Sequence, residues 1–420
     1  MTALLSLFFF FRPIMFIDIG WLVFGLNINE VFAIFATGIL IIAFILRVIS
    51  AKRLNISSVD FFLFAFVTWV FFIYVLYIDR SLFKDAAKFV LPFITYFVLK
   101  NVIVDTRQYS RLIKIMLIGF AVPIISSTFL IVQGKSLYTI LYWNNLARFK
   151  GVYNNCHDLG HCMAMFLMLI GIYAVICSSD TKLKPLRRQR LFVVFLAMLS
   201  VFAFYCLYKS YVRTCFFGFI LFAYYYLFRV NKRVLIVLTA VMCAISILSA
   251  AVLYTIFYDM IDSASGKESA ENFGSGRPYI WKHNIIEFSS QGLDEILAGV
   301  GVGNTWSHTK RKSDVVGGML NSHNDFLDVM MQTGLVGIIL FLAFQFCIYR
   351  KIRLLEGRVR YIFLALFFAV CFMNFASNSY VTRFGLGQIF YAVLSYIELP
   401  DHRKEDEKLG GIEVKVSEIR

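Results

Sequence analysis

The chain has 420 residues, of which 60% are hydrophobic and only 16% charged. Lys and Arg number 41 against 26 Asp and Glu, a net charge of +15. A soluble domain carries about 25% charged residues, so this composition excludes a soluble globular protein. It equally excludes a disordered, collagen-like or disulfide-built chain. With a mean hydropathy of +0.73, what remains is an all-α polytopic membrane protein. The positive excess then reads as positive-inside bias rather than as a nucleic-acid footprint, and no nucleic-acid partner is expected.

Apolar runs of about 17–22 residues mark spanning helices. They predict spans near 4–26, 30–49, 59–78, 87–105, 111–132, 158–178, 191–207, 211–229, 234–257, 334–350, 360–377 and 383–399, about twelve in all. Arg12-Pro13 interrupts the first. Clusters such as Arg47/Lys52/Arg53, Lys182/Lys184/Arg187/Arg188/Arg190 and Arg350/Lys351/Arg353 fall on alternate segments, and those segments hold most of the Lys and Arg. Both termini are predicted to be cytoplasmic. The opening MTALLSLFFFFRP lacks a basic start and a small-residue cleavage site, so it is read as retained. His157 and His161 lie between Cys156 and Cys162, and i,i+4 spacing puts two His on one helix face. With no H-E-x-x-H pattern, a polar turn at the membrane entry is the stronger reading, and no metal is predicted.

The expected organisation is a helical region over 1–257, a long outer loop over 258–333, further spans over 334–400 and a charged tail over 401–420. The loop is rich in acidic residues and turn formers, and a loop of that length is usually functional. Within GSGRPYIW, Pro278 suits the first turn of a short amphipathic helix buried through Ile280, Trp281, Ile285 and Phe288. Arg277 would then stand at that helix's start, either as an anion clamp or as a partner for local acidic side chains. Gly299-Val300-Gly301-Val302-Gly303 has the look of a phosphate loop, but no G-K-[ST] follows and a turn between helices fits better.

Asn321-Ser322-His323-Asn324-Asp325 precedes a helical stretch. An imidazole there can serve as a general base, with its Asn and Asp neighbours fixing the tautomer. Arg213, in YKSYVRT, sits at the outer end of an apolar span, where an ionisable group needs a partner or a task. Arg148 and Lys150, in ARFKGVYNN, fall on the same side, as do Arg80, Lys84 and Arg383. Arg213, Arg277 and His323 come from three distant stretches, yet the charge rule puts all three outside. Several cations and one base at an outer membrane face suit a lipid-linked diphosphate donor and a hydroxyl acceptor.

These stretches resemble the O-antigen ligase/polymerase family of bacterial envelope glycosyltransferases. The resemblance lies in GSGRPYIW, GVGVGNTW and SHNDFLDVMMQTGLVG, the last reading H-N-x9-G-x-x-G from His323 and Asn324 through Gly334 to Gly337. The upstream pieces ARFKGVYNN and SYVRT fit it more loosely. The resemblance implies a GT-C-like membrane fold in the bacterial inner membrane with a periplasmic active site. It also implies metal- and cofactor-independent, inverting transfer from an undecaprenyl-diphosphate-linked oligosaccharide. His323, Arg277 and Arg213 match the catalytic positions; Arg148, Lys150, Asn324, Tyr211 and Trp281 are expected to bind substrate. Many ligases carry a second His where this chain has Asn321, which leans the expectation toward a polymerase, with a chain-length regulator as a possible partner. A ligase acting on lipid A–core is the alternative. A transporter is less favoured, because the two halves show no internal repeat.

Overall fold

The computed structural model describes residues 2–17, 22–23, 26–51, 53–79, 83–133, 138–140, 147–179, 183, 189–237, 239–240, 277–303, 322–381, 383–399 and 413–415. Lipid offers no hydrogen-bond partners, so a spanning chain must satisfy its own backbone. The apolar runs accordingly form helices: α1 (Thr2–Ile14), α2 (Ile28–Ala51), α3 (Ser58–Leu76), α4 (Phe83–Val102), α5 (Thr106–Val132), α6 (Cys156–Ser179), α7 (Arg190–Lys209) and α8 (Arg213–Val230). After these come α9 (Arg277–Ser289), α10 (Leu293–Ala298), α11 (Asp325–Leu354), α12 (Gly357–Ala376) and α13 (Phe384–Leu394). Three two-stranded ribbons are the β-structure among the described residues. One of them pairs Arg53–Asn55 with Glu413–Lys415, which brings part of the charged tail beside the turn before α3.

Among the described residues, seven helices are long and apolar enough to cross a membrane: α2, α3, α5, α6, α7, α11 and α12. This is fewer than the sequence suggests, and the reasons are local. The run 4–26 stops as a helix at Ile14, just after Arg12-Pro13. Over the expected span 87–105, α4 begins with Lys84, Asp85 and Lys88 and ends near Lys100. Over 211–229, α8 carries Arg213 and Arg229 at its ends. The run 383–399 folds as an 11-residue helix followed by a 3-10 turn. Most of 234–257 lies outside the described residues.

α6 is the most enclosed of the seven; it packs on α5, α7, α8 and α12. Around it α1 lies on α5, α3 on α11, and α4 on α13. Two clusters of polar groups stand out, one at each end of the bundle, besides others within it such as Gln388 with Thr37 and Thr95. At one end meet the start of α3, the end of α4, the end of α11 and the turn after α13. There Lys100 Nζ pairs with Asp60 Oδ2, and Lys351 Nζ donates to Glu398 Oε2 at 3.0 Å. Ser57 Oγ and Tyr96 OH both donate to Glu398 Oε1, at 2.9 and 3.1 Å. At the other end meet the starts of α6, α8, α9, α11 and α13 and the end of α12.

Candidate active site

The site is assembled by helix starts, where free N–H groups and a positive dipole favour anions. Asn324 caps α11: its Oδ1 accepts from Phe326 N (3.0 Å) and Leu327 N (3.2 Å). The residue before it, His323, takes φ 51°, a left-handed backbone uncommon for a side chain of this size. Ser322 braces that turn, its Oγ accepting from Asn324 N at 3.0 Å. Trp281 Nε1 donates to Ser322 O at 2.8 Å, tying α9 to the turn, and its ring lies 5.1 Å from that of Phe375 at the end of α12. Strain of this kind persists only where the surroundings enforce it, and it concentrates at functional sites. Among the described residues the one other non-glycine with positive φ is Tyr211, also at 51°, in the turn that delivers Arg213 to the start of α8.

Arg277 opens α9 as expected from Pro278. Its Nη1 donates to Thr214 Oγ1 at 3.1 Å, on α8, and to Ala376 O at the end of α12. Of the apolar residues expected to bury α9, Ile280 and Phe288 do so, whereas Ile285 faces outward, 49% exposed. Asn284 takes an inner position instead. Thus α9 lies over the bundle through a narrower stripe than the sequence suggests.

The three residues from distant stretches come together. The positive charges of Arg213 and Arg148 both reach Arg277; burial and then these two charges lower its guanidinium pKa. No carboxylate pairs with Arg148, Arg213 or Arg277 among the described residues. Arg148 lies in a strand, 147–149, with its Nε buried and without a partner among the described residues. Lys150 is more peripheral, its Nζ making one long bond, 3.5 Å, to Asn154 O. Burial, then Arg277 and Arg383, push the His323 imidazole down to about 4. It is therefore neutral at pH 7 with a lone pair free to accept a proton.

Gly299–Gly303 is no phosphate cradle. Val300 and Val302 are buried. Val300 N donates to Met331 O (2.9 Å), and Gly303 N to Gln332 Oε1 (2.9 Å). A Cβ at Gly334 (φ 67°) would meet Leu297 O at 2.1 Å; one at Gly299 (φ 83°) would meet Gln332 C at 2.4 Å. The two glycines let the turn after α10 press into a kink of α11. That kink falls at 334, where the outer loop was expected to end; α11 itself begins earlier, at Asp325.

Other residues of the site went unassigned in the sequence. Arg383 Nε donates to Asp158 Oδ1 at 2.6 Å, and its Nη1 is buried without a partner. Asp325 Oδ2 accepts from Ser379 N (2.8 Å) and Val381 N (3.3 Å). Asp328 accepts from Asn378 Nδ2. Both carboxylates thus hold the segment that carries Arg383. His161 uses both ring nitrogens, toward His157 O (2.8 Å) and Ser379 Oγ (2.7 Å). Among the described residues no three His, Cys, Asp or Glu side chains gather as metal ligands. Asp158 and Arg383 were both visible in the sequence, but nothing local pairs residues 225 positions apart.

The site thus holds a half-buried imidazole close to arginines that no carboxylate among the described residues neutralises, in a membrane-embedded helical bundle. Residues 198–342 match the O-antigen ligase family model. Over that segment the chain is similar to O-antigen ligases, and the match points to ligase or polymerase activity, a membrane glycosyl transfer. It includes Tyr211, Arg213, Arg277, Trp281, His323 and Asn324, and leaves out Arg148, Lys150, Asp158 and Arg383. No curated protein matches the chain.

Proposed function

We propose that the protein is an envelope polysaccharide polymerase. It transfers an undecaprenyl-diphosphate-linked glycan onto a hydroxyl of another lipid-linked repeat unit, at the periplasmic face of the inner membrane. The observation that carries this reading is the cluster of Arg213, Arg148 and Arg277, with no carboxylate pairing them among the described residues, whose member Arg277 acts on His323. Like charges held together raise the energy of the empty site, and a diphosphate relieves it. Arg277, fixed by Thr214 and Ala376 on one nitrogen, presents the rest of its fork to phosphate oxygens.

The step follows from these roles. The acceptor O–H gives its proton to His323. The oxygen bonds to the anomeric carbon, the bond from that carbon to the diphosphate oxygen breaks, and its electron pair leaves on the diphosphate. Arginines aimed at those oxygens stabilise the transition state more than the ground state. Attack from the far face inverts the anomeric centre, and one base suffices. An imidazole held down to about 4 is a weak base in the empty site; a bound diphosphate offsets Arg277 and Arg383 and raises it toward the working pH, where a base is most effective.

The description of the matched family favours a second reading, an O-antigen ligase that passes the same glycan to lipid A–core. Deleting the gene and running the surface lipopolysaccharide on a gel separates the two. A polymerase leaves a core bearing one repeat unit and no ladder. A ligase leaves a bare core, with lipid-linked glycan accumulating on the outer side. An unchanged ladder sinks both as written.

A further inference from the structure

We propose that His157 is a second imidazole of the active site, which positions the acceptor hydroxyl for His323. The inference rests on the glycosyl-transfer reading and adds a residue to it. His157 lies in the first turn of α6, outside the matched segment 198–342. Its ring centroid is 6.3 Å from that of His323, with the planes 32° apart. The rings are therefore neighbours without being in stacking contact.

Three further observations give that proximity a use. First, the His157 ring is open. Its backbone oxygen accepts from His161, but among the described residues nothing hydrogen-bonds its ring nitrogens. His161, one turn on, has both of its own engaged. Second, the turn that carries the ring is held in place. Asn155 Nδ2 donates to Asp158 Oδ2 at 2.7 Å, Asp158 N donates to Asn155 Oδ1 at 2.8 Å, and Asp158 is clamped by Arg383. The first turn of α6 is thus pinned on both sides of His157. Third, the ring sits inside the cation cluster, within electrostatic reach of Arg383, Arg148 and His323.

The gap between the rings suits a single oxygen. Two hydrogen bonds of about 2.8 Å converging on one atom bridge such a spacing. His157 donates an N–H to the acceptor oxygen, which turns the O–H toward the free nitrogen of His323. In the transfer the proton moves to His323, the oxygen–carbon bond forms, and the diphosphate leaves with the electron pair. His157 neither gains nor loses a proton. A misplacement of about 1 Å costs on the order of a hundredfold in rate, so orientation alone is a substantial contribution.

The test uses the full chain in lipid nanodiscs. Lipid-linked glycan from the gene-deletion strain serves as donor and acceptor, and undecaprenyl diphosphate is the binding probe. His157→Ala should lower transfer by about a hundredfold and leave the Kd for undecaprenyl diphosphate within about twofold, since the arginines hold the diphosphate. His157→Gln, which keeps an N–H donor, should recover at least about tenfold of that loss. Full transfer by His157→Ala overturns the proposal. Equal loss in both variants, or loss of probe binding, assigns His157 to packing or to the diphosphate and also overturns it. Wild-type protein that neither binds the probe nor transfers glycan removes the glycosyl-transfer reading, and this inference with it.

Discussion

At one end of the bundle Lys100 meets Asp60 and Lys351 meets Glu398, with Ser57 and Tyr96 completing the set. At the other end Arg148, Arg213 and Arg277 face one another with no carboxylate among the described residues, and Arg383 alone has one. The first end buries its charges, which is expensive, and answers that cost internally, so its charges lock four segments of chain together. At the second end Arg148 and Arg277 are half-buried and Arg213 is exposed. Its like charges are left unanswered, which is tolerable where an anionic ligand supplies the missing charge. The pairing of the charges, rather than their presence, separates scaffold from site.

Three substitutions sharpen or break this contrast. The largest effect belongs to His323→Ala. Transfer should fall by about 10²–10⁴-fold, the usual contribution of a positioned base, while the melting temperature in detergent stays at the wild-type value. A loss of folding instead would put His323 in the scaffold. Next is Lys100→Met at the paired end. It leaves Asp60 buried without its partner, at a cost of about 3–5 kcal/mol. The readout is a lowered melting temperature and less folded protein in the membrane, with activity per folded molecule preserved. If activity fell with unchanged stability, the two ends would not divide as described. The smallest change is Arg277→Lys. It keeps the charge and removes the fork, so transfer should drop about tenfold, roughly 1.4 kcal/mol, with no loss of stability. Wild-type rates in that variant would argue against bidentate holding of the diphosphate.

Much of the site was legible because its parts are short. H-N-x9-G-x-x-G is a local string, and the turn it encodes appears as such: His323 at positive φ, Asn324 as the cap, Gly334 at the kink. Arg277 followed from Pro278 beside it. Roles that depend on a distant partner were missed: Asp325 Oδ2 accepts from Ser379 and Val381, and Arg383 pairs with Asp158. The Gly299–Gly303 run was legible as a turn between helices, and its backbone donors serve Met331 and Gln332. His157 had been weighed only as one of two histidines on a helix face.

By itself, then, the sequence determined the solvent of this protein, its all-helical class, the run of each apolar helix and the short strings that set its turns. Those are properties of neighbours in the chain: hydropathy over about twenty residues, a proline's missing donor, a cap's side chain. The tertiary structure decided which end of the bundle pairs its charges. It also decided that imidazoles from α6 and the turn before α11 share one gap. Such contacts join segments more than a hundred residues apart, and their energy depends on packing and on a local dielectric that does not exist until the helices have assembled.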